Sequence, residues 1–314
     1  MIWLVGAGPM SVDYVKVLEA QEQDFIVLGR SESSAKLFEE KTGHEVVTGG
    51  IEQFLATKPE APNAAIVSVG VEQLYFTTLS LLKFGVKSIL VEKPGGVDAE
   101  QINALTELAT SKKANVCIAY NRRFLASVSK AKELIEADGG VLSFNFEFTE
   151  WSHVIEKLDK DKLVLQNWLL GNSTHVIDMA FYLGGKPKEL SSYRTNSLSW
   201  HESGAVFSGA GVTTEGALFN YNANWISAGR WSLEVLTKSG KYIFCPLETL
   251  SFQKRGEIAV SNITLDTELE KRFKPGLYNQ VHAFINDDFD SLIAIKEHAE
   301  NVKFYCDIAG YSLK

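Results

Sequence analysis

MIWLVGAGPMS, residues 1–11, decides the fold. Ile2 to Val5 read as a short buried strand, and Gly6, Gly8 and Ser11 follow in the spacing G-x-G-x-x-S. From Ser11 to Ala20, the apolar Val12, Val15 and Leu18 recur at helical intervals. Strand, glycine turn, helix is the order that a dinucleotide-binding βα unit needs. Gly6 would make the tight turn, and Gly8 would let backbone approach a pyrophosphate. The third position, small so that the helix can pack on the strand, holds Ser11 instead of glycine. The helix start offers free N–H groups and a positive dipole end to an anion. The same spacing also occurs in bare βα turns, so the rest of the chain has to decide.

Outward from that turn, apolar runs alternate with helical patterns. Strand-like runs at 24–29, 63–69, 87–92 and 115–120 are separated by expected helices over 33–42, 72–84 and 98–112. Such runs, bounded by helices of this length, mark a parallel sheet covered on both faces. Asp98 with Gln101 forms a capping box, and Gly43 is a C-terminal stop.

After residue 124 the pattern changes. A helix over 126–137 precedes alternating stretches at 141–151, 216–225 and 230–245, with KSGK as a hairpin turn, the signature of a mostly antiparallel sheet. Helices are expected over 165–183, 277–289 and 293–310. The expected architecture is therefore an α/β Rossmann-type parallel-sheet domain over 1–120. An α+β domain with a large open, mostly antiparallel sheet follows over 121–314.

The 314 residues suit two domains, and 31 basic against 39 acidic side chains give a net charge of −8, which disfavours a nucleic-acid partner. Cys117, Cys245 and Cys306 lie far apart, so neither a disulfide framework nor a metal site is expected, and all three read as buried thiols. The first strand begins at residue 2, leaving no room for a secretory leader, and no apolar run reaches the roughly 20 residues of a membrane span. A cytoplasmic protein without membrane association is expected. An open sheet with one bare face would expose apolar side chains, so a homodimer or homotetramer through the second-domain sheet is expected too.

In a dinucleotide fold, the second strand ends about 20 residues after the glycine turn with an acid for the ribose hydroxyl. Here Gly29 stands at that tip, followed by Arg30, Ser31, Ser33 and Ser34. A guanidinium and hydroxyls at a helix start suit a 2′-phosphate, which points to NADP over NAD. The competing reading is that Ser33 caps its helix and Arg30 is merely solvated.

The sequence VEKPGG at 91–96 falls where the fourth parallel strand ends, the side on which open α/β sheets bind ligands. The X-Pro bond after Lys93 is a candidate cis peptide. Further on, His175, Asp178 and Tyr182 share one face of a greasy helix, and His175 suits acid–base work near neutral pH. A core histidine satisfied by Asp178 is the alternative. Trp151, Trp168 and Trp225 would suit sugar faces or core packing.

Taken together, the glycine turn, EKPGG at 92–96, YNRRF at 120–124, GNSTHVIDMAFYLGG at 171–185 and YNQVHAFIND at 278–287 resemble the Gfo/Idh/MocA family of oxidoreductases. The resemblance implies hydride transfer between NAD(P) and a sugar, nucleotide sugar or polyol. It implies Lys93 and His175 as catalytic residues, Glu92 beside the nicotinamide ribose, and a cis bond at Pro94. Gly6, Gly8, Pro9, Met10, Arg30, Ser31, Ser68, Gly70, Glu92 and Lys93 would hold the cofactor. Asn121, Arg123, Asn172, His175 and Asp178 would hold the substrate, with Arg123 otherwise a domain tie.

Two departures stand out. Many relatives carry an Asp four residues before this His, where Gly171 stands here, and VGVEQL at 69–74 replaces the usual TP-x-x-x-H, so that Gly70 lines the cofactor path. Two other classes therefore stay open: a glycoside hydrolase or lyase that recycles its nicotinamide internally, and a non-catalytic NADP-binding sensor.

Overall fold

The computed structural model describes residues 1–313, which divide into two compact units. The first opens with β1 (Ile2–Val5), α1 (Pro9–Ala20), β2 (Phe25–Leu28), α2 (Glu32–Thr42), β3 (Val46–Val47) and α3 (Gly50–Ala56). It continues through β4 (Ala64–Val67), α4 (Val71–Phe84), β5 (Ser88–Glu92), α5 (Ala99–Lys112) and β6 (Asn115–Ala119). The strands lie in the order β3-β2-β1-β4-β5-β6, all parallel, with the switch point at β1. That is the doubly wound order whose crevice takes dinucleotides. The strands need no polar alternation because helices cover both faces. Every residue of β1 and β4 is buried, and Trp3, Val5, Val67, Leu74, Leu81, Ile89 and Ile118 share one core. Burying each such side chain contributes about 1.5–3 kcal/mol.

Local signals set the element ends. Asp98 caps α5, its carboxylate accepting from the Gln101 N–H at 3.0 Å, while Gln101 Oε1 accepts from the Val97 N–H, so the expected box closes on the residue before the cap instead of on the cap itself. Gly43 ends α2 with φ 76°. The short β3 and α3 escape sequence reading because a two-residue strand carries no periodicity.

The second unit begins with a single 3-10 turn at Asn121–Phe124 and α6 (Ala126–Ala137), followed by β7 (Ser143–Phe148), α7 (Ser152–Ile155) and α8 (Lys162–Gln166). A π-helical turn over Leu169–Ser173 leads into α9 (Thr174–Gly184), so the one helix expected over 165–183 is in fact broken. Then come β8 (Pro187–Thr195), β9 (Val206–Thr213), β10 (Leu218–Asn224), β11 (Trp231–Leu236), β12 (Gly240–Phe244), β13 (Ser251–Lys254), β14 (Val260–Asn262) and α10 (Glu268–Arg272). They build an eight-stranded sheet in the order β14-β13-β12-β11-β7-β10-β9-β8, antiparallel except for β7 with β10. KSGK joins β11 to β12 as expected.

Register sorts that sheet into two faces. Phe144, Phe146, Phe148, Phe219, Tyr221, Leu233 and Phe244 form the buried face, and Phe181 of α9 stands edge-on to Phe144, Phe146 and Phe219. The opposite face holds the cross-strand rows Ser208–Asn222–Glu147–Ser232 and Ala210–Asn220–Asn145–Glu234. A further row on it, Val212–Leu218–Ser143–Leu236, is largely apolar, so the face mixes polar and apolar side chains. Tyr193, Leu218 and Val260 are its exposed large apolar side chains.

The chain then passes to α11 (Leu277–Ile285), β15 (Ile293–Ala294) and α12 (Ile295–Ala309). Residues 277–301, assigned by sequence to the second domain, group with the first unit, while Val302–Leu313 belong to the second. β15 adds antiparallel to β6 and completes a seven-stranded sheet. Cys117 and Cys306 are buried, but Cys245 is exposed, contrary to expectation, because it sits at the end of the β12 hairpin. No helix among the described residues is long and apolar enough to cross a membrane.

Candidate active site

The glycine turn does what its spacing asks. Gly6 sits at φ 126°, and a Cβ there would lie 2.5 Å from the Ser68 carbonyl oxygen, so β1 approaches the end of β4 as only glycine allows. Gly8 caps α1, Pro9 fills the first helical position, and nothing lies within 4 Å of where a Gly8 side chain would start. The backbone there is open to a ligand. Ser11 is buried, and its hydroxyl pairs with Ser68 Oγ at 2.7 Å. The hydroxyl in the third motif position thus ties α1 to the end of β4 instead of meeting a phosphate.

A hollow of about 270 Å³ opens at this turn, bordered by Gly6, Gly8, Arg30, Ser31, Ser68 and Gly70 among others. Six of the expected cofactor residues therefore meet in one place. Pro9 and Met10 lie in the first turn of α1 outside its lining, as do Glu92 and Lys93. Glu72, in the first turn of α4, also borders the hollow, and its carboxylate closes over Gly70, filling the space that a side chain at 70 would need.

At the far end of the hollow, a Cβ on Gly29 would stand 2.6 Å from Val46 Cγ1, so β3 closes off the position where a ribose-binding acid would stand. Arg30 is exposed and makes no salt bridge among the described residues. Ser31, not Ser33, caps α2, its oxygen accepting from the Ser34 N–H at 3.3 Å. The donor set fits a phosphorylated ribose: an uncommitted guanidinium beside a helix start, with no competing carboxylate at the strand tip.

Glu92 ends β5, and the Lys93–Pro94 peptide is cis, as the sequence suggested. The Tyr14 hydroxyl donates to Glu92 Oε1 at 2.8 Å. Tyr14 is fully enclosed, and burial, then the charge and hydrogen bond of Glu92, hold its hydroxyl well above the ordinary phenol range. It therefore stays a donor at any physiological pH. Sequence reading missed Tyr14; its one signal is a polar tip on the α1 face that buries Val15 and Leu18. On the following turn, the Pro94 carbonyl lies 3.0 Å from His298 Nε2 of α12.

In the second unit the polar stripe of α9 divides. Asp178 is buried and pairs with Arg123 through two hydrogen bonds of 2.7 Å each, and the guanidinium lies 4.7 Å over the Tyr182 ring. Arg123 and Asp178, both expected to hold substrate, neutralise each other in this pair. His175 is half-buried, with its ring 6.0 Å from that of Trp231. Asn121 donates to the Pro275 carbonyl, which makes it a tie within its own unit.

Gly171 lies in the π-helical turn with open space around it. A carboxylate is present at this turn nonetheless. Glu150, at the end of β7, is 3% exposed and accepts from Asn172 Nδ2 at 3.0 Å and Ser173 Oγ at 2.7 Å. Asn172, expected to hold substrate, spends its amide on this acid. Nothing local marked Glu150, because the contact spans 22 residues. Trp225 is core, donating to the Phe148 carbonyl, whereas Trp151 is half exposed.

Residues 1–120 match the family model described as an oxidoreductase family with an NAD-binding Rossmann fold, Gfo/Idh/MocA. The match ends with the last parallel strand of the first unit's opening stretch. Solved structures match over both units. Levoglucosan dehydrogenase in complex with NADH and L-sorbose is 16% identical, with a TM-score of 0.79 over 98% of this chain and 95% of that one. A dehydrogenase (MviM) from Clostridium difficile is 18% identical at TM-score 0.77, covering 98% of each chain. UDP-N-acetylglucosamine 3-dehydrogenase from Acidithiobacillus ferrooxidans is 14% identical at 0.73, covering 98% and 95%. At these identities the likeness establishes the fold. No curated protein matches in sequence.

Proposed function

We propose that this protein is an NADP-dependent dehydrogenase or reductase acting on a sugar or nucleotide sugar. The observation that carries the coenzyme choice is the tip of β2, where Gly29 is barred from bearing an acid by Val46 while Arg30 and Ser31 border the hollow. The oxidoreductase family of the first unit supports redox chemistry. The neighbours named for levoglucosan and UDP-N-acetylglucosamine support the substrate class.

Bound in that hollow, the coenzyme would supply or accept the hydride. Gly6 and Gly8 leave backbone N–H groups open to its pyrophosphate, and Arg30 with Ser31 would take the 2′-phosphate. We assign the oxygen's proton to Lys93 and His175, an ammonium that stabilises alkoxide character and an imidazole that can give or take a proton. Tyr14 fixes the Glu92 carboxylate beside that lysine in the chain. Self-association through the outer face of the eight-stranded sheet, along its Val212–Leu218–Leu236 row, also belongs to this reading, and light scattering measures it.

The test is calorimetric titration with NADPH and NADH, followed by an absorbance screen with keto-sugars and nucleotide sugars. NADPH binding more tightly than NADH, with coenzyme oxidation by one of the sugars, is the expected result. Coenzyme retained through purification with glycoside cleavage and no net absorbance change would replace it with the internal-recycling reaction. Binding without any turnover would leave a sensor.

A further inference from the structure

We propose that the substrate carries a negative charge, a carboxylate or a phosphate, and that Arg230 is the side chain that receives it. This deepens the dehydrogenase reading and rests on it for the role of His175.

The argument begins at the loop before β11. The Arg230 N–H donates to Glu147 Oε1 at 3.2 Å, and the Gly229 carbonyl accepts from Trp151 Nε1 at 3.1 Å, so backbone contacts on both residues fix where the Arg230 side chain starts. Its guanidinium then lies 4.9 Å over the ring of Trp151 and 5.5 Å over that of Trp231. Two indoles hold one cation in place, each contact worth roughly 0.5–1 kcal/mol at an exposed site. Aromatic contact orients the group without neutralising it. Among the described residues, the Arg230 side chain makes no salt bridge and no hydrogen bond, so the planar fork of donors is positioned and unspent.

The neighbouring charges are committed. Arg122 lies 5.1 Å over the same Trp231 ring, but its Nη1 donates to Glu248 Oε1 at 2.7 Å. Burial pushes the Glu248 carboxyl up. The Arg122 hydrogen bond and charge, with a smaller contribution from Arg230, outweigh that and hold it below the ordinary range. Glu248 is therefore the counter-ion of Arg122, and the second positive charge of the cluster is left for something else. Glu147, the other acid at this loop, accepts from the Arg230 backbone.

Position gives the cation its meaning. Trp231 has the His175 ring 6.0 Å away and Arg230 also against it, so one indole links the proposed proton-transfer residue to the cation. An open hollow lined by Trp151, His153, Trp225 and Gly229 lies alongside. A sugar ring is apolar on its faces and suits an indole wall, while an appended carboxylate or phosphate matches the two-pronged guanidinium. A neutral hydroxyl would use one donor of five and leave the charge unmet.

The experiment compares glucuronate and glucose 6-phosphate with glucose, titrated calorimetrically into the full chain with and without NADPH. The variants are Arg230→Met, which keeps the apolar stem, and Arg230→Lys, which keeps the charge without the fork. At least one charged sugar is expected to bind tenfold or more tightly than glucose. Arg230→Met should erase that preference and Arg230→Lys restore part of it, with NADPH affinity unchanged. Equal binding of all three sugars, or a preference that survives Arg230→Met, overturns the proposal. Failure to bind NADPH would instead sink the dehydrogenase reading, and the sugar comparison in coenzyme-free protein would still be readable.

Discussion

Arg30 and Gly29 make opposite predictions about the coenzyme end of the first unit. Replacing Arg30 by Ala removes a charge-assisted fork, so NADPH affinity should fall roughly 10- to 100-fold while NADH affinity changes little, as measured by calorimetry. Introducing the missing acid as Gly29→Asp should not convert the protein to NADH, because its Cβ runs into Val46. Such overpacking costs about 1–3 kcal/mol. The expected outcome is a lowered melting temperature without a gain in NADH binding, and Gly29→Asp with Val46→Ala should recover the stability. These residues were legible in the sequence because a turn motif fixes their neighbours locally. Glu150 and Tyr14 were not, since their partners Asn172 and Glu92 lie 22 and 78 positions away.

Two elements show how buried polar groups set stability. α9 is held to the Asn121–Phe124 turn by the enclosed Arg123–Asp178 pair. Asp178→Ala should destabilise the second unit by about 3–5 kcal/mol, because a guanidinium is left buried without its counter-ion, and urea titration measures this. Replacing both residues by apolar ones of similar volume should recover most of the loss. In β6, burial pushes the Cys117 thiol from 9.0 up to about 12. The folded state then holds a proton that the unfolded state releases, so this contribution is intact below pH 9 and is lost as pH rises from 9 towards 12. The slope is about 1.4 kcal/mol per pH unit. Cys117→Ala should flatten the alkaline decline by that amount in denaturation measured between pH 9 and 10.5. The helical stripe of His175, Asp178 and Tyr182 was visible as a pattern. Asp178 pairs with Arg123, 55 residues earlier, and no periodicity encodes that pairing.

For the whole molecule, both layer types were readable because their periodicities differ: continuous apolar runs for a doubly covered sheet, alternation for one with a polar face. The outer face of the second sheet holds Ser, Asn and Glu beside Val212, Leu218 and Leu236, a mixture that alternation alone does not resolve. Coenzyme should act on one unit first. NADPH at 100 times its dissociation constant should stabilise the first unit by about 2.7 kcal/mol, seen as an upward shift of its calorimetric transition, with the second unit moving less.

That first unit is assembled from two distant stretches, residues 1–120 and 277–301, with β15 laid along β6. On the ribosome, the outer hydrogen-bonding groups of β6 are made long before the strand that covers them. A nascent chain halted before residue 293 therefore carries a bare strand edge, the kind of surface on which chains join one another. A truncation ending at 120 should accumulate as aggregates that a peptide spanning 277–301 relieves, so assembly of this unit waits until residue 301 has been made.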